Sequence, residues 1–196
     1  MEKPTAIRSI KNTKSTLTQN YGFNRASILD TPLIFELMMN GSENGAFADR
    51  YMAGTGGVKL LLFIMLGIIG LEKFPNKEKI NSRWIIISNS KNPIGFMNSR
   101  TINSSDKNSE NLIAIYAISP RYRNLGHGKA ALKLFIQNQP DNTTIIVHCT
   151  KYARAMQHIL KKLRFQRNPK SGNPTEEYSL TTPPSNQLPP SKAASS

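Results

Sequence analysis

Residues Ile113–Leu134, IAIYAISPRYRNLGHGKAALKL, constrain this chain more than any other stretch. Ile113, Ile115, Ala117 and Ile118 make an apolar, partly β-branched run, the pattern of a buried strand. Ser119-Pro120 ends it, because proline cannot donate to a ladder. Arg121–Gly128 then supplies two arginines, a histidine and two glycines. Ala130, Ala131, Leu132, Leu134 and Phe135 continue as a helix. A helix start carries unpaired N–H groups and the positive end of a dipole, so this turn is a natural phosphate cradle. Glycine lets the backbone approach a ligand closely, having no Cβ to collide.

The hexapeptide Arg123-Asn124-Leu125-Gly126-His127-Gly128 is neither a Walker loop nor a G-x-G-x-x-G fingerprint. It reads Gln/Arg-x-x-Gly-x-Gly/Ala between a strand with Ser-Pro and an Ala/Leu helix. In that setting it resembles the acyl-coenzyme A loop of the GNAT N-acetyltransferase superfamily. A plain strand–helix connection with surface cations is the competing interpretation.

The charge is uneven. The 196-residue chain has a formal net charge of +14. Between Arg121 and Lys170 stand 11 Lys/Arg against one acid, Asp141. Coenzyme A, a polyanion itself, does not need so many cations. The excess either solubilises the protein or points to a polyanionic partner, RNA or an acidic protein. The chain's one cysteine, Cys149, excludes an intrachain disulfide and a thiolate-rich metal site. His127, His148 and His158 do not form a metal spacing, and no metal is expected. A lone cysteine fits a reducing compartment, and Met1–Tyr21 lacks the apolar core of a secretory signal, so the expected location is the cytoplasm.

Along the chain, residues 1–21 read as a flexible basic arm, 22–180 as one domain and 181–196 as a disordered Pro/Ser tail. Thr31 or Asp30 caps a helix that begins at Pro32 and breaks at Asn40–Gly45. Ala46–Met52 is a short second helical piece. Leu60–Leu71 is the most apolar stretch, too short to cross a bilayer, where about 20 residues are needed. It reads as a helix buried against a sheet; only partly covered, it would be a homodimer interface or a membrane-surface element. Arg83–Ser88 and Ile94–Ile102 read as strands around a loop at Asn89–Pro93, followed by the strand Asn111–Ile118. Thr143–Cys149 is a further strand, Tyr152–Leu163 an amphipathic helix and Glu177–Leu180 a last strand.

This order, β-α-α-β-β-β-α-β-α-β, is similar to the GNAT fold over about Phe23 to Leu180. Pro93-Ile94-Gly95-Phe96-Met97 resembles the family's third strand, and the helix ending Lys161-Lys162-Leu163-Arg164-Phe165 resembles its penultimate helix. The resemblance implies an α+β (mixed α/β) fold. Its central sheet is mostly antiparallel, flanked by helices, with a splayed pair of strands at the coenzyme A site. It implies that the backbone of Tyr116, Ala117 and Ile118 pairs with the pantetheine arm. The N–H groups of Arg123, Asn124, Leu125, Gly126, His127, Gly128 and Lys129 would hold the pyrophosphate, with charge added by Arg123 and Lys129. His127 itself is expected to be exposed. The implied activity is acetyl transfer from acetyl-coenzyme A to a primary amine: a protein lysine or N-terminus, a small amine, or an aminoacyl-tRNA.

Such chemistry needs a neutral amine, a polarised thioester and a stabilised leaving thiolate. The family's usual Glu position on the fourth strand is Leu112 here, and its usual Tyr position is Leu160. The substitute candidates are Glu110 as base through a water, Tyr152 as acid, and Cys149. The missing standard residues favour the rival function, a non-catalytic binding protein for nucleic acid or a protein partner on the same fold.

Overall fold

The structure, a computed structural model, describes residues 20–47, 56–71, 80–103, 109–168 and 175–184. Most of the expected arm, the piece Ala46–Met52 beyond Phe47, and the tail from residue 185 lie outside these. The strands are β1 (Tyr21–Arg25), β2 (Ile80–Asn89), β3 (Asn92–Asn103), β4 (Ser109–Ile118), β5 (Thr144–Thr150), β6 (Gln166–Asn168) and β7 (Thr175–Thr181). The helices are α1 (Thr31–Glu43), α2 (Gly56–Ile68), α3 (His127–Gln137) and α4 (Arg154–Lys162). The strands form one sheet in the order β1-β2-β3-β4-β5-β7-β6. Every pair is antiparallel except β4 with β5.

Helices cover both faces of the sheet, because each presents one apolar stripe that water excludes. On one face Ile34, Leu37 and Met38 of α1 and Leu60, Ile64 and Ile68 of α2 pack with Trp84, Phe96, Ile115 and Ala117. Trp84 stacks on Phe96 at 5.9 Å and takes Phe63 edge-on at 5.8 Å. On the other face Leu132 and Phe135 of α3 and Leu160 of α4 pack with Met97, Ile113, Val147, Cys149 and Tyr178.

Several boundaries differ from expectation for local reasons. The chain joins the sheet at Tyr21, inside the expected arm. Helix α1 runs on through Asn40 and Gly41 to Glu43. There the chain folds back so closely that a Cβ on Gly41 would lie 2.2 Å from the Phe47 ring. Ser90 and Lys91, both at positive φ, make a two-residue hairpin turn tighter than the expected loop. Strand β6 has no apolar pattern; side chains hold it, with Arg167 donating to Glu176 and Asn168 to Ser179. Helix α2 is only half covered: Val58, Leu61, Leu62 and Leu66 are exposed. No helix of the described residues is long and apolar enough to cross a membrane.

Candidate functional site

Strands β4 and β5 pair over four residues only, from Glu110 with Thr144 to Ile113 with Val147. Beyond that point they part. β4 runs on to Ile118 against β3, and β5 runs on to Thr150 against β7. The facing edges therefore form a fork whose backbone N–H and C=O groups are open to a ligand.

A β-bulge marks the fork's apex. Asn98 of β3 pairs with Ile115 and Ser99 pairs with Ile113, which leaves Ala114 without a partner. The extra residue bends the strand and raises its twist. It also switches faces: Ile113 belongs to the core under α3 and α4, whereas Ile115 belongs to the core under α1 and α2. Nothing in the continuous run Leu112–Ile118 signals this bulge.

The basic turn sits at the mouth of the fork. A single 3-10 turn follows β4, with Tyr122 N–H on Ser119 O and Arg123 N–H on Pro120 O. Asn124 (φ 60°) and Gly126 (φ 83°) then take left-handed backbone, and Gly126 caps α3. The first helical bond runs from Ala130 N–H to Gly126 O, at 3.1 Å. N–H groups ahead of it in the turn have no helical acceptor. A Cβ on Gly126 would meet nothing within 4 Å, so its outer side is open, and the glycine is required by its φ. Gly128 serves packing: its Cβ would lie 3.4 Å from Ile159 of α4 and 3.5 Å from Ile118. Gly95 lets β3 approach the end of β4, where a Cβ would sit 2.2 Å from Ala117 O.

The side chains of the turn behave differently from expectation. His127 is buried, not exposed, at 7%. Its Nδ1 lies 2.9 Å from the Tyr21 hydroxyl, and both Tyr21 and Tyr122 meet its ring edge-on at 6.0 Å. Beside it the Tyr116 hydroxyl donates to Gly128 O at 2.7 Å. Burial, then the nearby Tyr21, pushes the Tyr116 phenol well above its ordinary range, so it stays a donor. Arg123 is a brace rather than only a source of charge. Its Nε donates to Ile118 O at 2.9 Å, and its Nη2 to Asn40 Oδ1 of α1 at 2.8 Å. Lys129 is exposed. Tyr21 and Asn40 are thus parts of the site that sequence reading missed, one lying in a polar arm and the other in an apparent helix break.

The three side chains expected to handle protons are not brought together. Glu110 lies on the closed side of the fork, three residues before Ile113, or about 10 Å along the strand. Tyr152 is exposed and lies in the turn before α4, not in its first turn, with its ring against Gly45. Cys149 points into the core. Burial first, and the charge of Glu176 second, pushes its thiol up to about 12. Such a thiol serves packing. His148, its neighbour, points the other way and meets Glu177 at 3.3 Å. Among the described residues no group of His, Cys, Asp or Glu is arranged to hold a metal.

No protein-family model matches the sequence, and no curated protein matches it in sequence. Solved structures do match the fold. The PaiA N-acetyltransferase of Thermoplasma acidophilum, in complex with coenzyme A, aligns at 14% identity with a TM-score of 0.58, covering 83% of this chain and 99% of its own. The spermidine N-acetyltransferase of Vibrio cholerae, with coenzyme A and spermine, aligns at 12% identity and 0.57, covering 83% and 95%. A GNAT superfamily phosphinothricin acetyltransferase of Sinorhizobium meliloti, with acetyl-coenzyme A, aligns at 14% and 0.54, covering 89% and 95%. At these identities the likeness is one of architecture: the seven-stranded, mostly antiparallel sheet with its one parallel pair and its helices is the fold of the GNAT acetyltransferases.

Proposed function

We propose that this chain is an N-acetyltransferase that uses acetyl-coenzyme A and acts on a primary amine. One observation carries the reading: an open strand edge leads directly to a helix start whose N–H groups lack helical acceptors. The two features fit the two halves of one ligand. An amide-bearing arm pairs with a strand edge, and a pyrophosphate takes converging N–H donors and a helix dipole. The open side of Gly126 leaves room for the phosphate to approach the backbone.

When bound, acetyl-coenzyme A supplies an acetyl thioester. The open edge from Ala114 to Ile118 would fix its direction, with N–H groups beside the bulge available to polarise the carbonyl. Arg123 already occupies Ile118 O, so the acceptors left to the arm lie before that carbonyl. Holding amine and thioester side by side supplies much of the rate. Glu110, about 10 Å along the strand on the closed side of the fork, lies beyond the reach of one bridging water, so this reading gives it no part in taking the amine's proton. The acceptor is a small amine, a protein amine or an aminoacyl-tRNA. A second reading, a binding protein without chemistry, is favoured by the apolar Leu112 and Ala114 beside the apex.

The test is a thermal midpoint with acetyl-coenzyme A. Ligand at about 100 times its Kd adds about 2.7 kcal/mol, or about 5–10 °C for a domain of this size. No shift at millimolar ligand would sink the reading, and Gly126→Val is expected to abolish the shift. Thiol release against small amines, a lysine peptide and charged tRNA then separates enzyme from binder. Glu110→Gln is expected to leave both kcat and the KM for acetyl-coenzyme A within about twofold.

A further inference from the structure

The outer face of α4 has no role in the acetyl-transfer reading. Leu160 is buried, and Met156, Ile159 and Leu163 pack beside it. The opposite side presents Arg154, His158, Lys161 and Lys162, all exposed. Their spacing puts them on one stripe, about 12 Å long from Arg154 to Lys162 at 1.5 Å per residue. Helix α4 contains no acid, so no i,i+4 ion pair offsets the repulsion along the stripe. An ordinary solvated face mixes both signs. Glu176 and Glu177 on β7 meet Arg167 and His148 instead.

The stripe is fixed relative to the fork. Gln157 donates to Thr150 O at 3.0 Å, tying α4 to the open end of β5. Between them lie Lys151 and Tyr152. Tyr152 is 61% exposed as a residue, yet its ring is anchored. It leans on Gly45, whose carbonyl also accepts a bond from Thr150 Oγ1 at 2.8 Å. Lys151 Nζ stands 5.0 Å from the ring centroid. An exposed, positioned aromatic at the end of a row of cations is the combination that holds a single strand. Cations follow the phosphates and a ring takes a base.

We infer that the outer face of α4, with Lys151 and Tyr152, is a docking surface for single-stranded nucleic acid. The inference goes beyond the acetyl-transfer reading and stands or falls apart from it, because its readout needs no cofactor. A strand with a rise of about 3.4 Å per nucleotide sets three or four phosphates along the stripe. It runs to the mouth of the fork, where its terminal base meets Tyr152. An acidic protein would use the cations but not the ring.

The experiment is fluorescence anisotropy of the full chain with a labelled oligouridylate of about twenty nucleotides, repeated across a salt series. The expected plot of log affinity against log salt has a slope near −3, for about four phosphates neutralised at about 0.7 each. Lys161→Glu with Lys162→Glu lowers affinity at least tenfold and flattens the slope. Its far-ultraviolet circular dichroism and its Tm without ligand stay those of the native chain, which shows that the variant is folded. Arg25→Glu with Arg83→Glu makes the same change in net charge on exposed strand positions at the far side of the sheet, and leaves affinity within about twofold. Tyr152→Ala weakens binding to the oligonucleotide but not to polyglutamate. An equal loss from both charge-reversal pairs would reduce the surface to net charge and overturn the inference. So would binding to polyglutamate as tight as to the oligonucleotide, or no effect of Tyr152→Ala.

Discussion

Arg164 carries local strain. It follows α4 at φ 66°, where Phe165 N–H reaches back to Leu160 O at 3.0 Å and closes the helix end. The left-handed region costs a residue with a Cβ about 1–2 kcal/mol, and glycine escapes that cost. Arg164→Gly is therefore expected to raise stability by about 0.5–1 kcal/mol, seen as an upward shift of about 1–4 °C in Tm. Cys149 makes a different prediction. Its thiol is protonated in both folded and unfolded chains below about pH 9, so it adds no pH dependence there. Between about 9 and the folded value of about 12 only the unfolded chain gives up the proton, and stability falls as pH rises. Cys149→Ala should flatten that fall in a Tm series from pH 8 to 10.5, and the native thiol should resist Ellman's reagent at pH 8. At this scale the glycine turn was legible, because left-handed backbone and an anion cradle select particular residue types. The roles of His127 and Arg123 were not, since their partners Tyr21 and Asn40 lie 106 and 83 positions away, respectively.

Among the elements, β4 carries the site and depends on β3 for its shape. Gly95 faces Ile118 at the pairing that supports the open edge. A side chain there would strike Ala117 O, which is backbone and cannot turn aside. Gly95→Val is expected to cost more than about 2 kcal/mol and to remove the thermal response to acetyl-coenzyme A, measured by urea unfolding with and without ligand. Most elements were readable from period and punctuation, as with the β2–β3–β4 meander and the stripe of α4. The misses have particular causes. β6 is held by polar side chains, which leave no apolar period. The end of α1 looked like a break because the covering of Gly41 by Phe47 is a tertiary contact. The bulge at Ala114 is a matter of register between two strands, which neither strand encodes alone.

For the molecule as a whole, the fork has a mechanical side. β1 through β4 make one half-sheet and β5 through β7 another, stitched by the four residue pairs between Glu110 and Val147. Past that seam the halves share helices but no ladder. A ligand lying along β4 there would act as an added rung, closing in part what the chain leaves unzipped. Amide hydrogen exchange gives this idea a readout. With acetyl-coenzyme A, the amides of Ala114–Ile118 that face away from β3 and those of the turn through Lys129 should slow, whereas those of Ile85–Asn89 in β2, where both neighbours pair, should not. Equal slowing across the whole sheet would instead mean general stiffening. In that picture the substrate is also scaffolding: each turnover would loosen and relace the same seam, so the molecule would be at its most pliant between products and the next charge.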